Sequence, residues 1–265
     1  QKGDPSSINL TARTQPILLC CSLALWRLWL ERGGRTPDYL GGHSLGEWSA
    51  LVCAEVISFK DALSVVEERG LLMQSAVPEG EGAMAAVIGL QDQAVLECCE
   101  QAQTGGMVSA VNFNAPGQIV IAGAAKSVNK AIYLCKKAGA KRTILLPVSA
   151  PFHTMMMRPA ADSLTQRLEN ISFSCPKIPV IHNVHGRFED NPEGIKAAVL
   201  KQIYSPVLWV QCVERLLDEG TNVFVECGAG GVLSGLIRRI DKTIQAYTLS
   251  TSESFESALF NISDM

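Results

Sequence analysis

The chain has 265 residues, 47% of them hydrophobic and 18% charged, an ordinary globular balance with enough apolar side chain for a substantial core in one large domain or two small ones. Its net charge of −3, with both signs interspersed, excludes the global basic field of a nucleic-acid or membrane-surface binder, so a charged partner must be met locally. The nine cysteines are an odd number with no Cys-x-x-Cys pair and no histidines at metal-ligand spacing, which predicts reduced thiols in the cytoplasm and neither a disulfide framework nor a metal centre.

An unbroken helical pattern runs from Pro16 to Glu31 and stops at Gly33-Gly34. It is too short to span a bilayer and has no small-residue cleavage site, so a buried helix is expected. Residues 1–13 read as a polar lead, and the start Gln1-Lys2-Gly3 lacks an initiator methionine, as expected of a fragment. Asp38 to Gly42 is a short extended run into His43-Ser44, and Leu45 to Val56 resumes a helical pattern, giving strand, tight turn and helix. Ser58 to Ala76 is a second helix with Ser58 as N-cap and Asp61 in its first turn.

After the flexible stretch Pro78-Glu79-Gly80-Glu81-Gly82 the rhythm changes. Strands are predicted at 83–90, 107–112, 118–122 and 143–148, and helices at 93–103 and 127–138. The order βαββαβ is that of a ferredoxin-like insertion. Beyond Pro151 come helices at 156–170, 192–202, 207–219 and 232–239, with strands at 179–182 and 222–226. The expected fold is therefore α/β: a hydrolase-like body with a short parallel sheet, residues 1–77 and 149–265, interrupted by a small subdomain at 78–148.

Gly42-His43-Ser44-Leu45-Gly46 at the strand-to-helix turn has the form of a nucleophile elbow, in which glycines permit the sharp turn that lifts a serine hydroxyl above the sheet. The Leu45 N–H, at the helix start, is placed to face a developing oxyanion. A serine that merely caps the helix fits the pentapeptide about equally well. A nucleophile needs a base, and the four histidines are His43, His153, His182 and His185. His43 is adjacent and projects elsewhere, while His182 and His185 lie at a strand end, where structural roles are commoner. His153, in the loop Pro151-Phe152-His153-Thr154 that re-enters the body, ranks first. No acid completes a triad: Asp61, Glu67, Glu68 and Asp92 all sit in solvated contexts. An uncharged carbonyl can fix the imidazole tautomer instead.

With Gly42-His43-Ser44-Leu45-Gly46-Glu47 and Pro151-Phe152-His153 in view, the chain resembles the malonyl-CoA:acyl carrier protein transacylase family of acyltransferases. The likeness runs on through Thr14-Gln15-Pro16, Gly82-Ala83-Met84-Ala85-Ala86-Val87, Asn112 to Gln118 and Gly228-Ala229-Gly230. The resemblance implies Ser44 as nucleophile, His153 as base, Leu45 as an oxyanion donor and Gln202 as the carbonyl that holds the imidazole. It also implies Arg69 as the anchor for the free malonyl carboxylate, a role suited to a planar, always-charged guanidinium. Met84 and Phe152 match pocket-lining positions, and a bulky ring before the base leaves little room for a branched acyl group. Arg238 and Arg239 match the region that docks carrier protein, with Lys136, Lys137, Lys141 and Arg142 as a weaker cluster.

The implied reaction moves malonyl from malonyl-CoA to acyl carrier protein through a Ser44 ester in fatty acid synthesis, with no metal or redox cofactor, by a cytoplasmic monomer without nucleic-acid or membrane partners. Two departures stand out. Residues 1–13 hold no match to the family's Gly-Gln-Gly-Ser-Gln loop, which supplies a second oxyanion donor, and a lost donor costs about 100- to 1,000-fold in turnover in a comparable enzyme. Ala229 replaces a proline usual between its two glycines. A serine hydrolase using the same elbow, and a non-catalytic module that binds carrier protein or CoA, remain as alternatives.

Overall fold

A computed structural model describes residues 10–148 and 150–263. Helix α1 (Thr11–Glu31) begins five residues before the expected Pro16, so Thr11 to Arg13 form its first turn instead of a polar lead. Of the rest of that lead, Leu10 is the N-cap and residues 1–9 lie outside the described residues. Pro16 sits inside the helix and removes one backbone donor, but Leu19 and Leu23 bury on the core side and hold the segment helical. Strand β1 (Leu40–Gly41) leads into α2 (Leu45–Cys53), and α3 (Phe59–Ser75) follows, its N-cap Ser58 Oγ accepting from the Asp61 N–H at 3.0 Å.

The next segment forms β2 (Gly82–Ile88), α4 (Asp92–Ala102), β3 (Val108–Ala115), β4 (Gln118–Ala124), α5 (Ala125–Lys137) and β5 (Arg142–Leu145). Its four strands make one antiparallel sheet in the order β3-β4-β2-β5. Strand alternation divides the faces: Ala83, Ala85 and Val87 pack with Val95, Cys98, Val128 and Ala131 of the two helices, while Met84 packs with Val111, Val120 and Ala122 on the other face. Two backbone bonds tie β3 to the body, Val207 N–H to Val111 O at 2.8 Å and Phe113 N–H to Val207 O at 3.0 Å.

The chain then runs through a 3-10 turn (Met155–Met157), α6 (Arg158–Glu169), β6 (Val180–His182), β7 (Arg187–Phe188), α7 (Pro192–Ile203), α8 (Trp209–Asp218), β8 (Val223–Glu226), α9 (Val232–Ile240), β9 (Gln245–Thr248) and α10 (Ser252–Ser263). Strand β6 pairs parallel with β1, Leu40 opposite Val180 and Gly41 opposite Ile181, and antiparallel with β7. Strands β8 and β9 form a separate parallel pair, so the body's strands fall in two small sheets where one short parallel sheet was expected. Strands β7 and β9 and helix α10 extend the expected element list. One large core, from Leu19, Trp48, Leu51, Val65 and Leu164 among others, lies between α1, α2, α3 and α6. Behind the β1–α2 turn lies a cavity of about 1140 Å³, lined by Trp26, Tyr39, His43, Gly46, Trp209 and Phe224 among others. No helix among the described residues is long and apolar enough to cross a membrane.

Candidate active site

The turn between β1 and α2 is strained in the way an elbow requires. Ser44 has φ 53° and ψ −104°, a conformation L-residues adopt only when their surroundings impose it. A Cβ on Gly42 would come within 2.0 Å of the Gly46 carbonyl carbon, so the close return of the chain demands glycine there. Asn183, just past the end of β6, clamps the turn from below. Its Oδ1 accepts from the Ser44 N–H at 2.7 Å, and its Nδ2 donates to the Gly42 carbonyl at 2.8 Å. Leu45 is the first residue of α2, and its N–H therefore has no helical carbonyl to reach.

His153, in the loop before the 3-10 turn, also has positive φ, 63°. Its Nε2 lies 2.8 Å from Ser44 Oγ and its Nδ1 2.8 Å from the backbone carbonyl of Gln202. A carbonyl only accepts, so Nδ1 carries the proton and Nε2 is the acceptor facing the serine hydroxyl. The Gln202 carbonyl lies at the C-terminal end of α7, where it also meets the Ser205 N–H at 3.5 Å, and the negative pole of that helix favours an imidazolium as it forms. Burial and then the charge of Arg69 push the His153 pKa down to about 3, against the pull of the Gln202 carbonyl. The ring is neutral at neutral pH, the state a base needs.

Arg69, on α3, is only 2% exposed. Its Nη1 donates to Gln15 Oε1 at 2.6 Å, and its Nη2 donates to Gln202 Oε1 at 2.9 Å and to Ser44 Oγ at 3.2 Å. Its Nε has no hydrogen-bond partner among the described residues. Gly70 makes the arrangement possible: a Cβ there would come within 2.6 Å of Ala12 Cα, so α1 and α3 pack close enough to bring Gln15 to the guanidinium. Burial lowers the Arg69 pKa to about 10, and Glu47 works in the opposite sense. No carboxylate stands within ion-pair distance of it among the described residues. A buried cation thus adjoins Ser44 with no anion of the described residues on its fork.

Met84 and Phe152 meet in one apolar cluster, so the inner face of the four-stranded sheet reaches the residue before the base. His43 is turned away from Ser44 Oγ: its Nε2 donates to Asn114 Oδ1 at 2.8 Å, and burial lowers its pKa. Arg238 and Arg239 lie together, exposed, in the last turn of α9, where Arg238 donates to the Ala246 carbonyl and Arg239 to Gln118 Oε1. They join no hydrogen bond of the Ser44 group. Lys136 and Lys137 end α5, Lys141 immediately precedes β5 and Arg142 begins it, all exposed. No group of three or more His, Cys, Asp or Glu side chains suited to a metal occurs among the described residues.

Four participants were not singled out by sequence: Gln15, Glu47, His182 as a buried partner, and Asn183. Glu47 is wholly buried, its Oε1 accepting from His182 Nδ1 at 2.8 Å and its Oε2 from the Asn183 N–H at 3.0 Å and Gln202 Nε2 at 2.8 Å. Asn183 did carry a signal, since it follows a strand parallel to the one entering the elbow, and the carboxyl ends of such strands are where α/β sites form.

A serine on a strained elbow, hydrogen-bonded to a neutral imidazole, is the apparatus of acyl transfer. The chain belongs to the family of the acyl transferase domain, whose profile matches residues 2–251. Among the proteins it resembles, the malonyl CoA-acyl carrier protein transacylase of Escherichia coli K12 is 49% identical over 98% of this chain and 84% of the relative, and that of Bacillus subtilis 168 is 42% identical over 97% and 81%. The malonyl CoA-acyl carrier protein transacylase of Coxiella burnetii superposes with a TM-score of 0.97 at 42% identity, over 99% of this chain and 83% of that one. A malonyl-transacylase solved with its holo type II PKS acyl-carrier protein gives 0.96 at 48% identity, over 98% and 84%.

Proposed function

We propose that this protein transfers malonyl from malonyl-CoA to the thiol of acyl carrier protein through an ester on Ser44, in fatty acid synthesis. The observation that carries the reading is the position of Ser44 Oγ, 2.8 Å from the His153 base and 3.2 Å from a buried guanidinium that no carboxylate among the described residues neutralises. A hydrolase of simple esters has no use for such a cation, whereas an acyl group ending in a carboxylate does.

Malonyl-CoA enters with its carboxylate on Arg69, between Met84 and Phe152 on the sheet side. Ser44 Oγ attacks the thioester carbonyl as its proton passes to His153 Nε2, and the Leu45 N–H faces the oxyanion. Collapse breaks the C–S bond, and the CoA thiolate leaves with the proton from the imidazolium. The carrier-protein thiol then gives its proton to His153, attacks the ester, and returns the hydroxyl to Ser44. The Gln202 carbonyl holds the ring through both halves. Every step is proton transfer and acyl exchange, so the cycle calls on no metal or redox cofactor. Arg238 and Arg239 are the surface we assign to the acidic carrier protein.

The strand order β3-β4-β2-β5, with both helices on one face, supports a ferredoxin-like subdomain at 78–148 within a hydrolase-like body. The boundary at residue 149 falls outside the described residues. All nine cysteines are free, which supports a cytoplasmic location. The test is incubation with labelled malonyl-CoA followed by peptide mass analysis. A malonyl adduct on the Ser44 peptide, discharged by carrier protein and not by water, is the expected result; rapid release of free malonate without transfer would assign the chain to the hydrolases.

A further inference from the structure

We propose that Glu47 is a positioning residue for acyl-group specificity, acting through the side-chain amide of Gln202 to keep Arg69 aimed at the substrate carboxylate without neutralising it. The inference rests on Arg69 being the carboxylate anchor. Nothing in the acyl exchange uses Glu47, yet it is fully buried, and both of its oxygens are taken by three donors, from His182, Asn183 and Gln202. Burial of an ionisable group on this scale is costly unless it is well hydrogen-bonded, and three donors on its two oxygens meet that need.

The amide of Gln202 shows what the network does. Its Nε2 is ringed by three acceptors, Glu47 Oε2 at 2.8 Å, the Ser44 carbonyl at 3.0 Å and Asn183 Oδ1 at 3.4 Å. Its Oε1 is thereby turned to Arg69 Nη2 at 2.9 Å. A flipped amide would set its oxygen against the carboxylate and its NH₂ against the guanidinium, so the charge on Glu47 selects the orientation. Glu47 also favours the charged form of Arg69. Negative charge reaches Arg69 through an amide dipole instead of by direct contact. A carboxylate placed on the guanidinium would occupy the fork that a substrate carboxylate requires. The amide relay supplies counter-charge and leaves the fork unneutralised.

Glu47→Gln keeps length and volume but offers only one acceptor oxygen to a site that presents three donors, so the Gln202 amide loses its bias. In the purified protein, kcat/KM for malonyl transfer to carrier protein is expected to fall at least about tenfold, chiefly through KM, while acetyl transfer changes by less than about threefold. Gln202→Met keeps the backbone carbonyl on His153 and removes the amide, and it is expected to lower malonyl transfer at least about tenfold more than acetyl transfer. The double variant is expected to fall no further than the worse single one, because both act through one link. Equal losses for malonyl and acetyl, no loss, or additive losses would overturn the inference; where Glu47→Gln does not fold, Gln202→Met decides alone. Arg69→Ala run in parallel separates the two readings: equal malonyl and acetyl losses there sink the anchor itself, whereas a selective loss there without one at Glu47 sinks only this inference.

Discussion

The nucleophile half and the anchor half of the site meet at Ser44 Oγ, but they are held in place at different kinds of expense. Ser44 and His153 both sit at positive φ, so the catalytic pair carries its cost in the backbone. Arg69 lies in the middle of a regular helix with no backbone strain, and its cost is electrostatic, a guanidinium buried among amide oxygens. The difference teaches that each half answers to a different perturbation. Conformational changes act on the nucleophile, and charge changes act on the anchor.

The comparison breaks most visibly at the base. His153→Ala is expected to lower acylation of Ser44 by roughly 1,000-fold for malonyl and acetyl donors alike, since the proton acceptor serves both, as single-turnover mass labelling would read. Arg69→Ala should cost malonyl transfer about 100-fold in kcat/KM and leave acetyl transfer within a few-fold, a split that an unselective loss would contradict. The pH profile separates the halves again. His153 with its pKa near 3 is deprotonated, and so competent, throughout the neutral range, so acylation should show no acid limb near the ordinary histidine value of 6.5 and fall about tenfold per pH unit only toward the lowered one. Arg69, lowered by burial only to about 10, keeps its charge across that whole range, so the preference for malonyl over acetyl should stay constant through neutral pH. The smallest effect is on stability. Ser44→Gly should melt higher than Ser44→Ala, by about 1 kcal/mol, because glycine accepts this φ and alanine does not. Equal melting temperatures would mean the elbow is not strained.

The nucleophile half was largely legible in the sequence. Glycines two residues either side of Ser44 state a turn, and a census of only four histidines makes a base easy to seek. The anchor half was not legible from residue patterns, and Arg69 entered only through family resemblance. Between Glu68 and Gly70, with Glu67 just before, it has the look of a solvated helix charge. Its burial follows from the approach of α1 at Gly70, a contact 58 residues away in sequence with no local signature. Gln15, Asn183 and Gln202 come from three distant segments, and single polar residues of that kind show no period. Glu47 was in plain view beside the elbow, yet a first-turn glutamate ordinarily serves the helix dipole and not a buried amide. The fold divides similarly. Long helices and the βαββαβ rhythm are written in periodicity, whereas β7 has two residues and is defined only by its pairing with β6. Helix α10 could have been found, since Phe255, Ala258, Leu259 and Ile262 keep helical spacing and cover Trp29.

Among the described residues only Ser44, Glu55 and His153 place a side chain at positive φ, and two of these three are the partners of the 2.8 Å bond on which the proposed acyl transfer depends. A lineage released from its reaction would gain stability by drifting to glycine at both positions. The elbow therefore serves as a witness to use: in a sequence of this kind, glycine at 44 or 153 would mark a copy that has stopped working before any other part of the fold had changed.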